Sequence, residues 1–183
     1  MIFGSLAGES ESPPFSFVIK RAFISDDKRR ILCLRYLHQN PNRSMTSIPR
    51  PASSAILERD GRFLLVLRRN PPSADMYAFP GGRAEDGETP AETALREFRE
   101  ETGISARNPR LYETYDLRSH AADGRLVSHF VLSVFLVDAD EDAIAEAADD
   151  AAAIGWYSLE EIRALPVPAS VLECAERLTA ARV

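Results

Sequence analysis

Three glutamates fall within five residues of one predicted helix, at spacings that bring their side chains together. Glu97, Glu100 and Glu101 are separated by one to four positions, and side chains three or four residues apart are neighbours on a helix surface. Like charges placed in this way repel, at a cost of about a few tenths of a kcal/mol per pair. Carboxylate oxygens are also the ligands that Mg²⁺ prefers, so a bound cation would relieve the repulsion. The spacing therefore indicates either a metal site or a solvated acidic face eased by neighbouring arginines.

The helix that carries these glutamates has clear start and stop signals. Thr89 can act as the N-cap, Pro90 suits the first helical position, and Glu92 completes a capping box. Gly103 stands where a left-handed C-terminal cap is wanted. The sequence therefore predicts a helix from about residue 90 to residue 102.

One face of this helix is expected to be buried, because its apolar residues recur with helical periodicity. That face consists of Ala91, Ala94, Leu95, Phe98 and Thr102. The three glutamates are expected on a different face, with Arg96 and Arg99 pointing away from them.

Around this helix, the chain from residue 52 alternates between predicted strands and helices. Asp60-Gly61 is typical of a tight turn, so residues 54–69 are expected to form a hairpin. Residues 126–138 are apolar on both alternating faces, as in a central strand that is covered on two sides. Other predicted strands lie within residues 76–82, 110–119 and 153–158, and further helices within 159–165 and 168–183. This order predicts an α/β fold, with a mixed sheet sandwiched between helices.

Composition narrows the class of protein. The net charge of −6 and the isoelectric point near 5.2 argue against stable nucleic-acid binding, because no strongly basic face is evident. The two cysteines, Cys33 and Cys174, are far apart and are expected to be reduced thiols. No apolar run is long enough to span a membrane, and the N-terminus does not resemble a secretory signal. We therefore expect a cytoplasmic protein that does not bind membranes.

The charge balance changes near residue 45. Residues 1–44 contain seven Lys/Arg and four Asp/Glu, whereas the other 139 residues contain fifteen and twenty-four. Our hypothesis is that residues 45–183 form the folded domain and that residues 1–44 are a loosely ordered extension, or an upstream translation. The alternative is that residues 31–37 form a genuine additional strand or helix, which protection from limited proteolysis would reveal.

The complete spacing pattern resembles the signature of the Nudix hydrolase family. That signature runs Gly, five residues, Glu, seven residues, then Arg-Glu-apolar-any-Glu-Glu-any-Gly-apolar. Its constrained positions are filled here by Gly82, Glu88, Arg96, Glu97, Phe98, Glu100, Glu101, Gly103 and Ile104. Phe98 is bulkier than the usual aliphatic residue at its position. A weaker likeness in the order of elements extends from about residue 50 to residue 182.

The resemblance implies a Nudix fold and hydrolysis of a nucleoside diphosphate linked to another group, with bound Mg²⁺ or Mn²⁺. It also implies metal ligation by Glu97, Glu100, Glu101 and the carbonyl of Gly82. Glu97 would instead, or also, act as the base towards water, since family members differ on this point. Arg96 is expected to orient a glutamate, and Glu88 to act as a partner outside the direct ligands. Gly81 and Gly82 are expected to let the backbone turn tightly.

Several other residues are candidates for the same site. A later loop could supply a further acid, Asp149 or Asp150, although a solvated loop is as good an interpretation. Candidate substrate contacts are Arg68, Arg69, Phe79, Tyr77 and His129. Packing is the simpler account of the aromatic residues, and a hydrogen-bonded core position is the commoner outcome for a histidine inside an apolar strand. Arg68 and Arg69 are adjacent in a strand, so at most one of them is expected to face the cleft.

The resemblance leaves three functions open. The first is hydrolysis of ADP-ribose or a nucleotide sugar, although the proline that many ADP-ribose-specific members carry beyond the signature is missing from residues 116–124. The second is hydrolysis of nucleoside triphosphates, including oxidised ones. The third belongs to another class, a non-catalytic module that senses nucleotides, which the intact signature disfavours. Family members often form homodimers, but no residue here indicates one.

Overall fold

The computed structural model describes residues 48–69, 74–149 and 151–182, together with the backbone of residues 16–21. The segment 31–37, for which an added strand or helix was one alternative, lies outside the described residues. So do Cys33 and Asp150.

From residue 50 onwards, strands and helices alternate as the sequence predicts, and a strand that was not predicted, Ser16–Arg21, precedes them. The strands are β1 (Ser16–Arg21), β2 (Arg50–Ile56), β3 (Glu58–Arg59), β4 (Arg62–Arg68), β5 (Tyr77–Ala78), β6 (Gly81–Arg83), β7 (Arg107–His120), β8 (Leu126–Asp138) and β9 (Ala151–Ser158). The helices are α1 (Pro90–Thr102), α2 (Leu159–Ala164) and α3 (Ala169–Ala180). Among the described residues, none of the helices combines the length and the apolarity that a membrane crossing requires.

The strands form two sheets. The larger sheet has the order β1-β7-β8-β2-β6, and β8 runs antiparallel to β7 but parallel to β2. In the smaller sheet, β4 pairs with β3, β5 and β9, all antiparallel. The prediction of a mixed sheet with β8 at its centre is therefore confirmed.

The predicted hairpin is confirmed only in part. Asp60 and Gly61 have φ angles of 51° and 75°, which is the left-handed backbone that a two-residue hairpin turn requires. The turn joins β4 to the short β3, however, and not to the whole preceding segment. β2 belongs to the larger sheet instead, because its backbone pairs with β6 on one side and β8 on the other.

Alternation along the strands divides the core into two layers. On β4, Phe63 and Leu65 pack with residues of α2 and α3, whereas Leu64 faces α1 together with Phe98 and other buried side chains. Successive side chains of a strand point to opposite faces, so each sheet can bury both of its sides. The predicted layered architecture, with sheets between helices, is confirmed.

Part of the N-terminal extension contributes to the larger sheet. The backbone of β1 pairs antiparallel with β7, from Ser16 opposite His120 to Arg21 opposite Tyr115. β1 is therefore an edge strand of the larger sheet, although it lies before residue 45. The division of the chain at residue 45 stays a prediction.

Candidate functional site

Helix α1 has the bounds and caps that its sequence predicts. The Thr89 hydroxyl accepts a hydrogen bond from the backbone N–H of Glu92, and the Glu92 carboxylate accepts one from the backbone N–H of Thr89. Gly103 ends the helix with a left-handed backbone at φ 72°. These caps satisfy backbone groups at both helix ends, which stabilises the segment that carries the signature.

The buried face of α1 differs from the prediction. Ala94 and Phe98 are fully buried as expected, but Leu95 is only half-buried, and Glu101 has just 1% of its surface exposed. Residues 94, 98 and 101 share one face because they are spaced by four and three. Glu101 was expected on a different face, which is wrong, and its carboxylate lies in the interface between α1 and the larger sheet.

A main-chain donor compensates the buried carboxylate of Glu101. Its Oε2 atom accepts a hydrogen bond of 2.9 Å from the backbone N–H of Gly81 on β6. The backbone carbonyl of the same glutamate accepts a bond from the N–H of Ala148, so the loop before β9 is attached to the end of α1. A buried carboxylate without such donors would be strongly destabilising.

Arg96 lies at the centre of the remaining carboxylates. Its guanidinium binds Glu88 through two hydrogen bonds of 2.6 and 2.9 Å, and donates to Glu97 at 3.0 Å and Glu100 at 2.9 Å. A further bond reaches the backbone carbonyl of Arg83 on β6 at 3.0 Å. The expectation that Arg96 points away from the glutamates is therefore wrong, because its long side chain bridges Glu97 and Glu100 of α1 to Glu88 in the preceding loop. We call Arg96, Glu88, Glu97 and Glu100 the arginine hub.

The arginine hub has a negative formal charge, because it contains one guanidinium and three carboxylates. The hydrogen bonds from Arg96 hold the pKa of Glu88 far below its ordinary value, at about 2. The same contact with Glu88 raises the pKa of Arg96 above its already high value. Glu88 and Arg96 therefore both stay charged at neutral pH.

Thr93 is a member of this arrangement that sequence reasoning missed. Its hydroxyl donates to Oε2 of Glu88 at 3.0 Å, and the backbone N–H of Glu85 donates to the same oxygen at 2.8 Å. Both bonds orient the Glu88 carboxylate, which in turn accepts hydrogen bonds from Arg96. The sequence carries a weak signal for this contact, since Thr93 lies one helical turn after the N-cap and faces the preceding loop.

Gly81 and Gly82 serve a purpose other than the predicted tight turn. Both lie in strand β6 without positive φ angles, so the prediction of a turn there is wrong. A Cβ at Gly81 would lie closer than 3.0 Å to the backbone oxygen of Ser53, and one at Gly82 equally close to the carboxyl group of Glu97. Glycine is needed at both positions because there is no room for a Cβ. β2 lies too close to Gly81, and Glu97 of α1 lies too close to Gly82.

The chemistry of the donor set fits a hard divalent cation. Glu97, Glu100, Glu101 and the Gly82 backbone offer only oxygen ligands, which is the preference of Mg²⁺ and Mn²⁺. The absent Cβ at Gly82 lets the backbone approach Glu97, and the hub carries negative charge in excess. Within the described ranges, no three acidic, histidine or cysteine side chains already surround a common point. Glu97 and Glu100 contact Arg96 instead.

Arg68, the last residue of β4, and Arg69, which follows it, differ in their surroundings. Arg68 is half-buried, and its guanidinium donates to the backbone carbonyl of Gly81 at 3.0 Å. Arg69 is exposed, and its guanidinium donates to the backbone carbonyl of Asp149 at 3.2 Å. Asp149 itself is exposed, with a left-handed backbone at φ 51°.

The other candidate substrate contacts lie in packed positions. Phe79 is 4% exposed and packs edge-on against Phe63 with ring centroids 6.3 Å apart. His129 is 7% exposed, and its Nε2 lies 3.0 Å from a carboxylate oxygen of Asp116. Tyr77 stacks edge-on against Tyr157. The structure therefore gives each of them a packing partner within the protein, and Asp116 is a partner that the sequence did not reveal.

Comparison with known proteins places these features in a family. The family model of the NUDIX domain matches residues 48–178. An ADP-ribose pyrophosphatase of Methanocaldococcus jannaschii is 32% identical over 114 residues, which cover 62% of this chain and 64% of that protein. An 8-oxo-dGTP diphosphatase of Haemophilus influenzae is 48% identical over 65 residues, which cover 35% of this chain and 48% of that protein. This chain thus spans less than two thirds of either relative.

A solved structure agrees with the sequence matches. The MutT NUDIX hydrolase of Burkholderia pseudomallei superimposes with a TM-score of 0.60 at 28% identity, covering 71% of this chain and 98% of that one. The family model spans well over half of the chain, and the signature residues meet at one place in the fold. The chain therefore belongs to the Nudix hydrolase family.

Proposed function

We propose that this chain hydrolyses the diphosphate linkage of a nucleoside diphosphate joined to a second group, with a divalent cation bound. The observation that carries the proposal is the convergence of Glu97 and Glu100 on Arg96, beside a glycine whose missing Cβ leaves room for Glu97. The same region holds the buried Glu101, whose carboxylate is kept in place by β6. Such a concentration of fixed carboxylates is costly for folding alone and suits cation binding.

Each residue of the site has a role in this proposal. Glu97, Glu100, Glu101 and the Gly82 carbonyl would hold Mg²⁺ or Mn²⁺, and Arg96 orients the first two of these glutamates. Glu88 fixes Arg96 through its two hydrogen bonds. The cation would neutralise charge on the diphosphate and lower the pKa of an attacking water. Glu97 is our first candidate for the base, and the loop acids Asp149 and Asp150 are the alternatives.

We propose ADP-ribose or a nucleotide sugar as the substrate. Support comes from the archaeal ADP-ribose pyrophosphatase, which matches this chain over 114 residues and thus well beyond the signature. Oxidised nucleoside triphosphates are the second candidate. The 8-oxo-dGTP diphosphatase of Haemophilus influenzae supports them with a higher identity of 48%, over a shorter stretch of 65 residues.

A substrate panel tests the proposal. The protein would be incubated with Mg²⁺ and ADP-ribose, other nucleoside diphosphate sugars, NADH, dinucleoside polyphosphates, CoA, and nucleoside triphosphates including 8-oxo-dGTP. Release of phosphate would be measured after treatment with a phosphatase. We expect turnover of an ADP-ribose-like compound, and a fall of about 100-fold in Glu100→Gln, because removing a ligand should cost at least as much as removing a ligand's hydrogen-bond partner.

Two controls make the result specific. Glu141→Gln makes the same chemical change at an exposed loop position far along the chain from the signature, and it should keep full activity. Glu100 is also partly exposed, at 40% of its side chain, so its variant should unfold at nearly the same urea concentration as the wild type. Tight binding of one nucleotide without turnover of any compound would reject the enzyme and favour the sensing module.

A further inference from the structure

Arg68 is the last residue of β4, and its backbone is fixed on both sides. Its N–H donates to the carbonyl of Met76 at 3.0 Å, and its carbonyl accepts from the N–H of Asp75 at 2.9 Å. On the other side it pairs with Ala151 of β9, after an irregularity in the strand register. The backbone of Arg68 therefore has a fixed position, which limits the places that its guanidinium can reach.

That guanidinium binds the strand that faces the glutamate helix. Nη1 of Arg68 donates to the carbonyl oxygen of Gly81 at 3.0 Å, and the bond is half-buried. A charged donor that bonds a carbonyl away from bulk water makes one of the stronger kinds of hydrogen bond. The bond fixes the peptide group that joins Gly81 to Gly82.

The preceding peptide group is fixed by a second hydrogen bond. The N–H of Gly81 donates to the buried carboxylate of Glu101 at 2.9 Å. Both peptide groups that flank Gly81 are thus bonded, one to a cation from β4 and the other to an anion from α1. Glycine has more backbone freedom than any other residue, so these two bonds supply restraint that the residue itself lacks.

We propose that Arg68 is a positioning residue of the site. It acts through the Gly81 peptide on the Glu101 carboxylate and on the adjoining Gly82 backbone, and it does not bind the phosphates of the substrate. This inference rests on the proposed function for what Glu101 and Gly82 hold. It separates Arg68 from Arg69, which is exposed and contacts the loop of Asp149.

The contact can be observed without any ligand. Pro80-Gly81 is the only Pro-Gly pair in the sequence, so labelling proline with ¹³C at its carbonyl and glycine with ¹⁵N identifies the Gly81 amide in one NMR spectrum. Arg68→Gln should shift this amide signal, and Arg68→Lys should shift it less because a cationic donor remains. Arg125→Gln is the matched control, since that arginine is exposed in the turn between β7 and β8.

Metal affinity and kinetics then separate positioning from substrate binding. In Arg68→Gln, we expect Mn²⁺ affinity, measured without substrate by electron paramagnetic resonance, to fall about 10- to 100-fold. The kcat should fall by a similar factor while KM changes less than about threefold, because ground-state substrate binding is not removed. Arg68→Lys should recover part of both losses. A raised KM with unchanged Mn²⁺ affinity and an unmoved Gly81 signal would overturn the proposal and make Arg68 a substrate contact.

The two proposals can fail separately. If the wild-type protein binds Mn²⁺ but cleaves no compound, the proposed function fails while the Gly81 signal and the Mn²⁺ affinity still decide the role of Arg68. If the wild-type protein binds no Mn²⁺, the proposed metal site fails, and the role of Arg68 towards it fails with it.

Discussion

Replacing Gly82 with alanine should damage the site while leaving the fold in place. A Cβ at this position would lie closer than 3.0 Å to the carboxyl group of Glu97, whereas ordinary contacts begin at 3.4 Å. The carboxyl group lies at the end of a flexible side chain, so it can move away, and the backbone of β6 need not. The substitution should therefore displace the carboxyl group of Glu97, which is a candidate metal ligand, and not the backbone.

The size of the effect follows from that displacement. Restoring an ordinary contact moves the whole carboxyl group by about 1 Å, and a misplacement of about 1 Å can cost roughly 100-fold in rate. We expect kcat/KM to fall about 10- to 100-fold, and Mn²⁺ to bind more weakly. The free energy of unfolding should fall by only about 1 kcal/mol, the cost of one side chain forced from its preferred rotamer.

Two other glycines, Gly81 and Gly124, provide the comparison. In Gly81→Ala, the new Cβ would meet the backbone of Ser53, which cannot move aside, so urea should unfold this variant much more easily than Gly82→Ala. In Gly124→Ala, the residue has φ 80° and no neighbour to collide with, so stability should fall while the activity per folded molecule stays normal. A Gly82→Ala protein with kcat/KM within about threefold of wild type would refute the reasoning that places Glu97 in the site.

Two further predictions concern stability. Phe98→Ala should lower the free energy of unfolding in urea by about 3 to 5 kcal/mol, because Phe98 is fully buried beneath α1; a loss under about 1 kcal/mol would contradict its place in the core. Glu88 has a pKa of about 2 in the folded protein against an ordinary 4.5, so its stabilising contribution is complete above pH 4.5 and disappears as the pH falls towards 2. The urea midpoint of Glu88→Gln should therefore depend less on pH than that of wild type across this interval, and equal slopes would show that the contact with Arg96 is not formed.

The sequence predicted those parts of the fold that local patterns determine. The caps of α1 at Thr89 and Gly103, the turn at Asp60 and Gly61, and the central position of β8 all depend on neighbouring residues or on apolar runs. The destination of β2 depends instead on strands far along the chain. No local pattern could show that β2 leaves its hairpin partner and pairs with β6 and β8.

The candidate site shows the same division between local and distant causes. Spacing along the helix correctly grouped the carboxylates Glu97 and Glu100, because both are fixed by helical geometry. It could not show that Glu101 is buried, since that depends on how closely Gly81 lets β6 approach. The prediction for Arg96 was wrong for a related reason. Its long side chain binds Glu88, which lies outside the helix, so the spacing within the helix could not predict where the guanidinium lies.

Local electrostatics within α1 give an independent reason to assign it a function. Glu100 and Glu101 lie in the last turn, where the helix dipole disfavours negative charge. Arg96 also precedes Glu100 by four residues, which is the less favourable order for an ion pair on a helix. Helix α1 therefore has well-formed caps at both ends, yet the acidic residues in its last turn go against the charge preferences of a helix. Such conflicts between local stability and residue choice are expected where a site requires those residues, and a cation bound by these glutamates would remove the conflict directly.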